Sequence, residues 1–176
     1  NHRAVLLQSN HLSFPFSVIN IVKMGRHPIK EICSAEEEEK ICVNILNDFD
    51  LSNHVNQNYT TLSGGEKQRV QLSRVFAQIH SLDNYENKIL LLDEPTSYLD
   101  IKHQNILFNL LKDMNEKGLT IIMVLHDLNH AIFHSNKIMM LKESKMISFG
   151  SVEDVVNEET LSNVFDISLK LINSKG

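Results

Sequence analysis

Ile89-Leu90-Leu91-Leu92-Asp93-Glu94-Pro95-Thr96 is the stretch on which the fold turns. Four consecutive apolar residues leading into a turn residue read as a strand covered on both faces, the form that strands of a parallel sheet take. They deliver two adjacent carboxylates at the C-terminal edge of the strand, where ligands bind in open α/β sheets, and Pro95 then stops the ladder. Successive strand residues point to opposite sides, so Asp93 and Glu94 are expected to do different jobs. One suits a hydrated Mg²⁺ and the other suits orienting or deprotonating a water.

Downstream, Thr120 to Leu125 forms a second apolar run, and both runs are expected to be central strands. Ile106, Leu107, Leu110, Leu111 and Met114 recur between them at helical spacing, up to Gly118 as a helix-ending C′ residue. The result is a strand, helix, strand unit with a right-handed crossover, hence a parallel α/β core. Lys137 to Leu141 and Lys145 to Phe149 read as two strands joined by a tight turn. A short helix opened by Ser151 and another around Thr160 to Phe165 follow. Upstream, Arg3 to Gln8 reads as a short strand and Ser17 to Met24 as a short helix. Ser34-x-x-Glu37 is a capping box that opens a helix with Ile41, Cys42, Ile45, Leu46 and Phe49 on one face, a spacing suited to lying on a sheet.

A second informative stretch is Leu62-Ser63-Gly64-Gly65-Glu66-Lys67-Gln68-Arg69, running into a helix whose apolar face is Val70, Leu72, Val75, Phe76 and Ile79. Ser63 and Glu66 make a capping box with two glycines inside it, and each Gly costs about 1 kcal/mol of helix stability relative to Ala. Close approach of an anion, phosphate above all, to bare backbone N–H groups at a helix start accounts for that cost. Leu125-His126-Asp127 ends the second apolar run as Asp93-Glu94 ends the first, so His126 is expected on the same ligand-binding edge. His126, His130 and His134 also stand at i, i+4 and i+8, but with no H-e-x-x-H pattern a solvated or interface helix is favoured over a metal site.

The 176 residues carry a formal net charge of −5, with a sequence pI near 6.0, which argues against a basic nucleic-acid surface. No apolar run approaches the roughly 20 residues that span a bilayer. Cys33 and Cys42 are too far apart for a C-x-x-C pair and read as reduced structural thiols of a cytosolic protein. No Gly in these residues is followed by Lys, so the phosphate-cradling P-loop, G-x-x-x-x-G-K-[S/T], does not occur among them.

Taken in order, Leu62 to Glu66, Ile89 to Thr96, Ser97-Tyr98-Leu99-Asp100 and Leu125-His126-Asp127 resemble the motif set of the ABC transporter ATPases. The resemblance implies a P-loop NTPase-like parallel sheet core with a helical signature subdomain, incomplete because the P-loop segment is expected to precede Gln8. It makes residues 1–176 the C-terminal portion of one ATPase domain, with about 9–80 as the signature subdomain and 81–176 as the core. It implies ATP and Mg²⁺ as cofactors. Glu94 becomes the catalytic base and His126 the switch histidine. Asp93 becomes the Walker B acid, and Gln8 the Q-loop glutamine that joins it at Mg²⁺. Ser63, Gly64, Gly65 and Glu66 become the signature, and Asp100 closes the D-loop; these residues, with Gln8 and Asp93, form the cofactor-binding set. Tyr98 stands where the family usually has Ala.

Val5-Leu6-Leu7-Gln8, Phe14-Pro15-Phe16-Ser17-Val18 with the preceding Leu12-Ser13, and Met24-Gly25-Arg26-His27-Pro28 are similar to the hemin-import ATPases, relatives of the iron-siderophore and cobalamin importers. Such a protein is expected to form a homodimer on membrane permease subunits at the cytoplasmic face of the bacterial inner membrane. It would meet a substrate-binding protein only indirectly and would bind no nucleic acid. The 176 residues alone are expected not to hydrolyse ATP. The alternatives are an iron-siderophore or cobalamin importer ATPase, or a DNA-repair ABC-type ATPase.

Overall fold

A computed structural model of the chain describes residues 3–8, 14–28, 34–81 and 84–170. The chain divides into two compact units, Asn1–Leu125 and His126–Gly176, each described by itself.

The first unit holds a three-stranded sheet of β1 (Arg3–Leu6), β2 (Ile89–Asp93) and β3 (Thr120–Val124) in the order β1-β2-β3. Both pairings are parallel, with Leu6 level with Leu92, and Asp93 level with Val124. Ala4, Leu6, Leu90 and Leu92 are buried in the core. β2 is central, as its sequence predicts. β3 pairs with β2 alone among the described strands, and its side chains alternate. Ile121 and Met123 pack on the core, whereas Ile122 and Val124 are 55% and 54% exposed. An unbroken apolar run shows that a strand can be covered on both faces and leaves open whether it is.

The helix between these strands, α4 (Ile101–Glu116), buries Leu107, Phe108, Leu111 and Met114. It ends in a Schellman motif: Gly118 N–H donates to Asn115 O at 2.9 Å and Leu119 N–H to Met114 O at 3.1 Å. Gly118 takes φ +98°, a conformation that requires little of glycine and much of any other residue.

Three further helices, α1 (Val18–Arg26), α2 (Ala35–Asp48) and α3 (Gly64–Ile79), form a layer in which α3 also touches β1. The Ser34 to Glu37 capping box is formed in both directions. The expectation that α2 lies on a sheet is corrected, because its main partners are α1 and α3. Phe49, just past α2, meets Phe76 of α3 edge to face at 5.0 Å. Arg26, only 4% exposed, donates through Nε and Nη2 to Glu38 and through Nη1 to the Ala77 carbonyl, tying α1 to both neighbours. An apolar helix face requires a cover without naming it, and this buried guanidinium selects a helical one. Cys42 is fully buried there, and burial pushes its thiol up to about 11, in keeping with a structural role. Cys33 lies outside the described residues.

The second unit is built on an antiparallel hairpin of β4 (Lys137–Lys142) and β5 (Lys145–Ser151). Its turn residues Glu143 and Ser144 both have positive φ, +49° and +61°, the backbone that matches the twist of paired strands. Ile138 and Met140 pack against Val155 of α6 (Val152–Val155) and Leu161 of α7 (Glu158–Phe165). α5 (Leu128–His134) starts on Asp127, whose carboxylate accepts from Asn129 N–H.

Candidate functional site

Because Leu6 and Leu92 are level in the sheet, the residues two positions beyond them, Gln8 and Glu94, reach the same edge. There Gln8 Nε2 donates to Glu94 Oε1 at 2.9 Å, and Ser97 Oγ donates to Glu94 Oε2 at 3.3 Å. Glu94 leaves β2 with φ +47°, a left-handed conformation that costs a non-glycine residue on the order of 1 kcal/mol. The turn is over-determined: Glu94 N–H donates to Val124 O, and Ser97 N–H to Glu94 O, both at 3.1 Å. Strain held by that many bonds is the pattern of a side chain aimed for use. Asp93, half-buried, is the last residue of β2.

Among the described residues no three His, Cys, Asp or Glu side chains gather at one point as a metal cage. Mg²⁺ needs no cage, since it keeps several waters and takes one or two protein ligands besides phosphate oxygens. The donors here fit it. Asp93 offers a hard carboxylate, and Gln8, whose Nε2 donates to Glu94, has an amide oxygen with no partner among the described residues.

The turn after β2 packs against the N-terminal part of α3. Ser63 N–H and Oγ donate to Glu66 Oε2 at 2.8 and 2.7 Å, and Glu66 N–H returns a bond to Ser63 Oγ. Gln68 Nε2 donates to Pro95 O at 3.3 Å. A Cβ placed on Gly65 would stand 2.9 Å from the Tyr98 carbonyl oxygen, whereas one on Gly64 meets only the Tyr98 ring at 3.8 Å. Gly65 is therefore demanded by contact with the chain's own loop. The phosphate argument for bare backbone applies with full weight only to Gly64. Ser63, Gly65, Glu66, Arg69, Tyr98, Leu99, Asp100 and His103 line a polar recess of about 230 Å³.

The Ser63 hydroxyl, with its backbone N–H, holds the Glu66 carboxyl below the usual carboxylate range. A folded-state value below the unfolded one stabilises the fold above the unfolded value, and the gain is lost as pH falls through the folded value. Ser63→Ala is expected to move the Glu66 titration up toward that of an ordinary glutamate and to cost about 1 kcal/mol at neutral pH, less in acid. Carboxyl NMR on the two forms checks this; an unmoved Glu66 curve would refute it.

Sequence reasoning places Asp93 and Glu94 at one edge and the resemblance adds Gln8; the structure brings Gln8 and Glu94 together there, and it sets Ser63 to Glu66 beside Asp100, which caps α4 by accepting from His103 N–H at 2.9 Å. His126 belongs to the second unit, immediately before the α5 cap. In that unit the His130 and His134 rings lie 6.1 Å apart, and burial, then the neighbouring His130, lowers His134 below its ordinary value. Sequence reasoning missed Ser97 on Glu94 and the side chains Arg69, His103 and Asp50. The spacing of His103, three residues after a capping Asp, was the one local signal.

A parallel sheet with paired acids at its carboxyl edge, beside a helix opened by Ser-Gly-Gly, defines an α/β protein with polar groups gathered at the edge where such sheets bind ligands. The chain belongs to the ABC transporter family, whose model matches residues 3–97. It is 36% identical over 172 residues, 97% of its length, to the hemin import ATP-binding protein HmuV of Escherichia coli O157:H7, and 38% identical over 172 residues to HmuV of Mesorhizobium japonicum. It spans 65% of the length of each of these relatives. Among solved structures it resembles the dimeric post-hydrolysis state of the ATP-binding cassette MJ0796 bound to ADP and Pi, at 28% identity and TM-score 0.72, covering 86% of this chain and 63% of that one.

Proposed function

We propose that the whole protein is the ATP-hydrolysing subunit of an ABC importer that energises hemin uptake. The observation that carries this is the Glu94 carboxylate, held at the sheet edge by Gln8 and Ser97 through a strained turn. Glu94 accepts the proton of the attacking water, and Gln8 fixes the carboxylate that does so. Asp93 and the Gln8 amide oxygen would hold Mg²⁺, which would supply charge neutralisation on the phosphates. His126 is assigned the contact that keeps the γ-phosphate and base in register. Ser63, Gly64 and Gly65 of one copy face the nucleotide held by the second copy of a homodimer, while Glu66 and Asp100 hold the helix start and the D-loop. Catalysis then rests on positioning and electrostatics.

Residues 1–125 and 126–176 are portions of one such ATPase domain on this reading, which keeps about 9–80 as its signature subdomain. The subunit works against permease partners as a peripheral component at the cytoplasmic face of the membrane. No described helix is long and apolar enough to cross one. Hemin as cargo is supported by the names of the relatives reported above.

The test is reconstitution of the whole protein with a hemin-importer permease. ATP hydrolysis stimulated by a hemin-loaded binding protein supports the reading. Stimulation by a siderophore- or cobalamin-loaded protein instead replaces the cargo and keeps the class. Salt-sensitive DNA binding with no permease association overturns both.

A further inference from the structure

Asp100, the N-cap of α4, His103 in its first turn and Arg69 of α3 stand in a row across the polar recess. The His103 residue is 8% exposed. Its Nδ1 lies 2.7 Å from Asp100 Oδ1, while Arg69 Nη1 lies 2.6 Å from Nε2 and 3.0 Å from Nδ1. A carboxylate only accepts and a guanidinium only donates. Nδ1–H donates to Asp100 Oδ1, and because Nη1 lies within 3.0 Å of both ring nitrogens the guanidinium stacks over the ring face rather than in line with one lone pair. Asp50, in the turn after α2, stands 3.7 Å from Nε2 and is paired with Lys102. Arg69 Nε is buried with no partner among the described residues, so the grip of the guanidinium on α4 passes through Nη1.

The loop that ends at Asp100 begins at Glu94. It is also fastened to α3 by Gln68 on Pro95 and by the Tyr98 carbonyl against Gly65. His103 is the only side chain of α4 among these fastenings, and it joins the far end of the loop to the helix whose tip is Ser63 to Gly65.

We propose that His103 is a positioning residue for ATP hydrolysis: by bridging Asp100 to Arg69 it holds the loop bearing Glu94 in register with the N-terminus of α3. The proposal rests on the ATPase reading above. Phe at 103 keeps the ring volume and loses the bond to Asp100 and the two ring nitrogens that face Arg69. Gln can set its Oε1 near the place of Nε2 and accept from Arg69.

The experiment measures steady-state ATP hydrolysis of the whole protein with its permease, for wild type, His103→Phe, His103→Gln and Glu94→Gln, with thermal unfolding of each. His103→Phe is expected to lower kcat about tenfold, with KM for ATP changed by less than about twofold, and His103→Gln to recover to within about threefold of wild type. A Phe variant as active as wild type beside an inactive Glu94→Gln overturns this proposal alone. So does a Gln variant no better than Phe, or a loss lying in KM. An inactive wild type, or an active Glu94→Gln, sinks the ATPase reading and the proposal with it.

Discussion

Replacing Glu94 by Gln in the whole protein is expected to lower ATP hydrolysis by at least about 100-fold and to leave ATP binding within a few-fold, because general-base catalysis contributes roughly 10²–10⁴. The substitution is close to isosteric and the surrounding bonds tolerate it. The amide oxygen can still accept from Gln8 Nε2, and the φ +47° turn is fixed by backbone bonds to Val124 and Ser97 that no side chain supplies. What disappears is a negative charge able to take a proton. The effect should therefore fall on kcat, measured as phosphate release, while nucleotide affinity measured by calorimetry stays. Retained turnover would mean that Glu94 is held for another purpose and that the base lies elsewhere.

The second large effect is on stability. Gly25→Ala should destabilise the fold by about 3 kcal/mol, the upper part of the range for overpacking a tight contact. A Cβ on Gly25 would sit 2.1 Å from the Arg74 carbonyl oxygen, 3.1 Å from its carbon and 3.3 Å from Gln78 N. All three are backbone of α3, so no rotamer change relieves the clash and the helices must part. Away from such a contact, the same change in a helix gains about 1 kcal/mol from propensity, so the sign is diagnostic. Urea unfolding monitored by circular dichroism reads it directly. A neutral or stabilised variant would show that the α1 and α3 backbones do not need to meet. Because α3 carries Ser63 to Glu66 at its other end, parting the helices also shifts the candidate site.

Features decided within a few residues were legible in the sequence. The capping boxes at Ser34 and Ser63, the helix end at Gly118, the hairpin between Leu141 and Lys145 and the acid pair ending β2 all lie where local bonding requires them. Each is a set of backbone donors and acceptors satisfied by neighbours in the chain, so residue type at fixed offsets carries the information. The family resemblance rested on the same short segments.

Other features were settled only by the tertiary structure. Amphipathic spacing in α2 announced a buried face, but Arg26 and Phe76, distant in sequence, supplied the helical partner. The apolar run of β3 announced a strand, but packing decided which of its faces meets the core: Ile121 and Met123 turn to it, while Ile122 and Val124 face outward. The second glycine of the Ser-Gly-Gly start has its neighbour in Tyr98, and His103 has its own in Arg69, 34 residues away. A side chain's periodicity states what it must hide or satisfy; which atoms do so depends on where chain closure brings distant backbone, and that is a property of the packed fold.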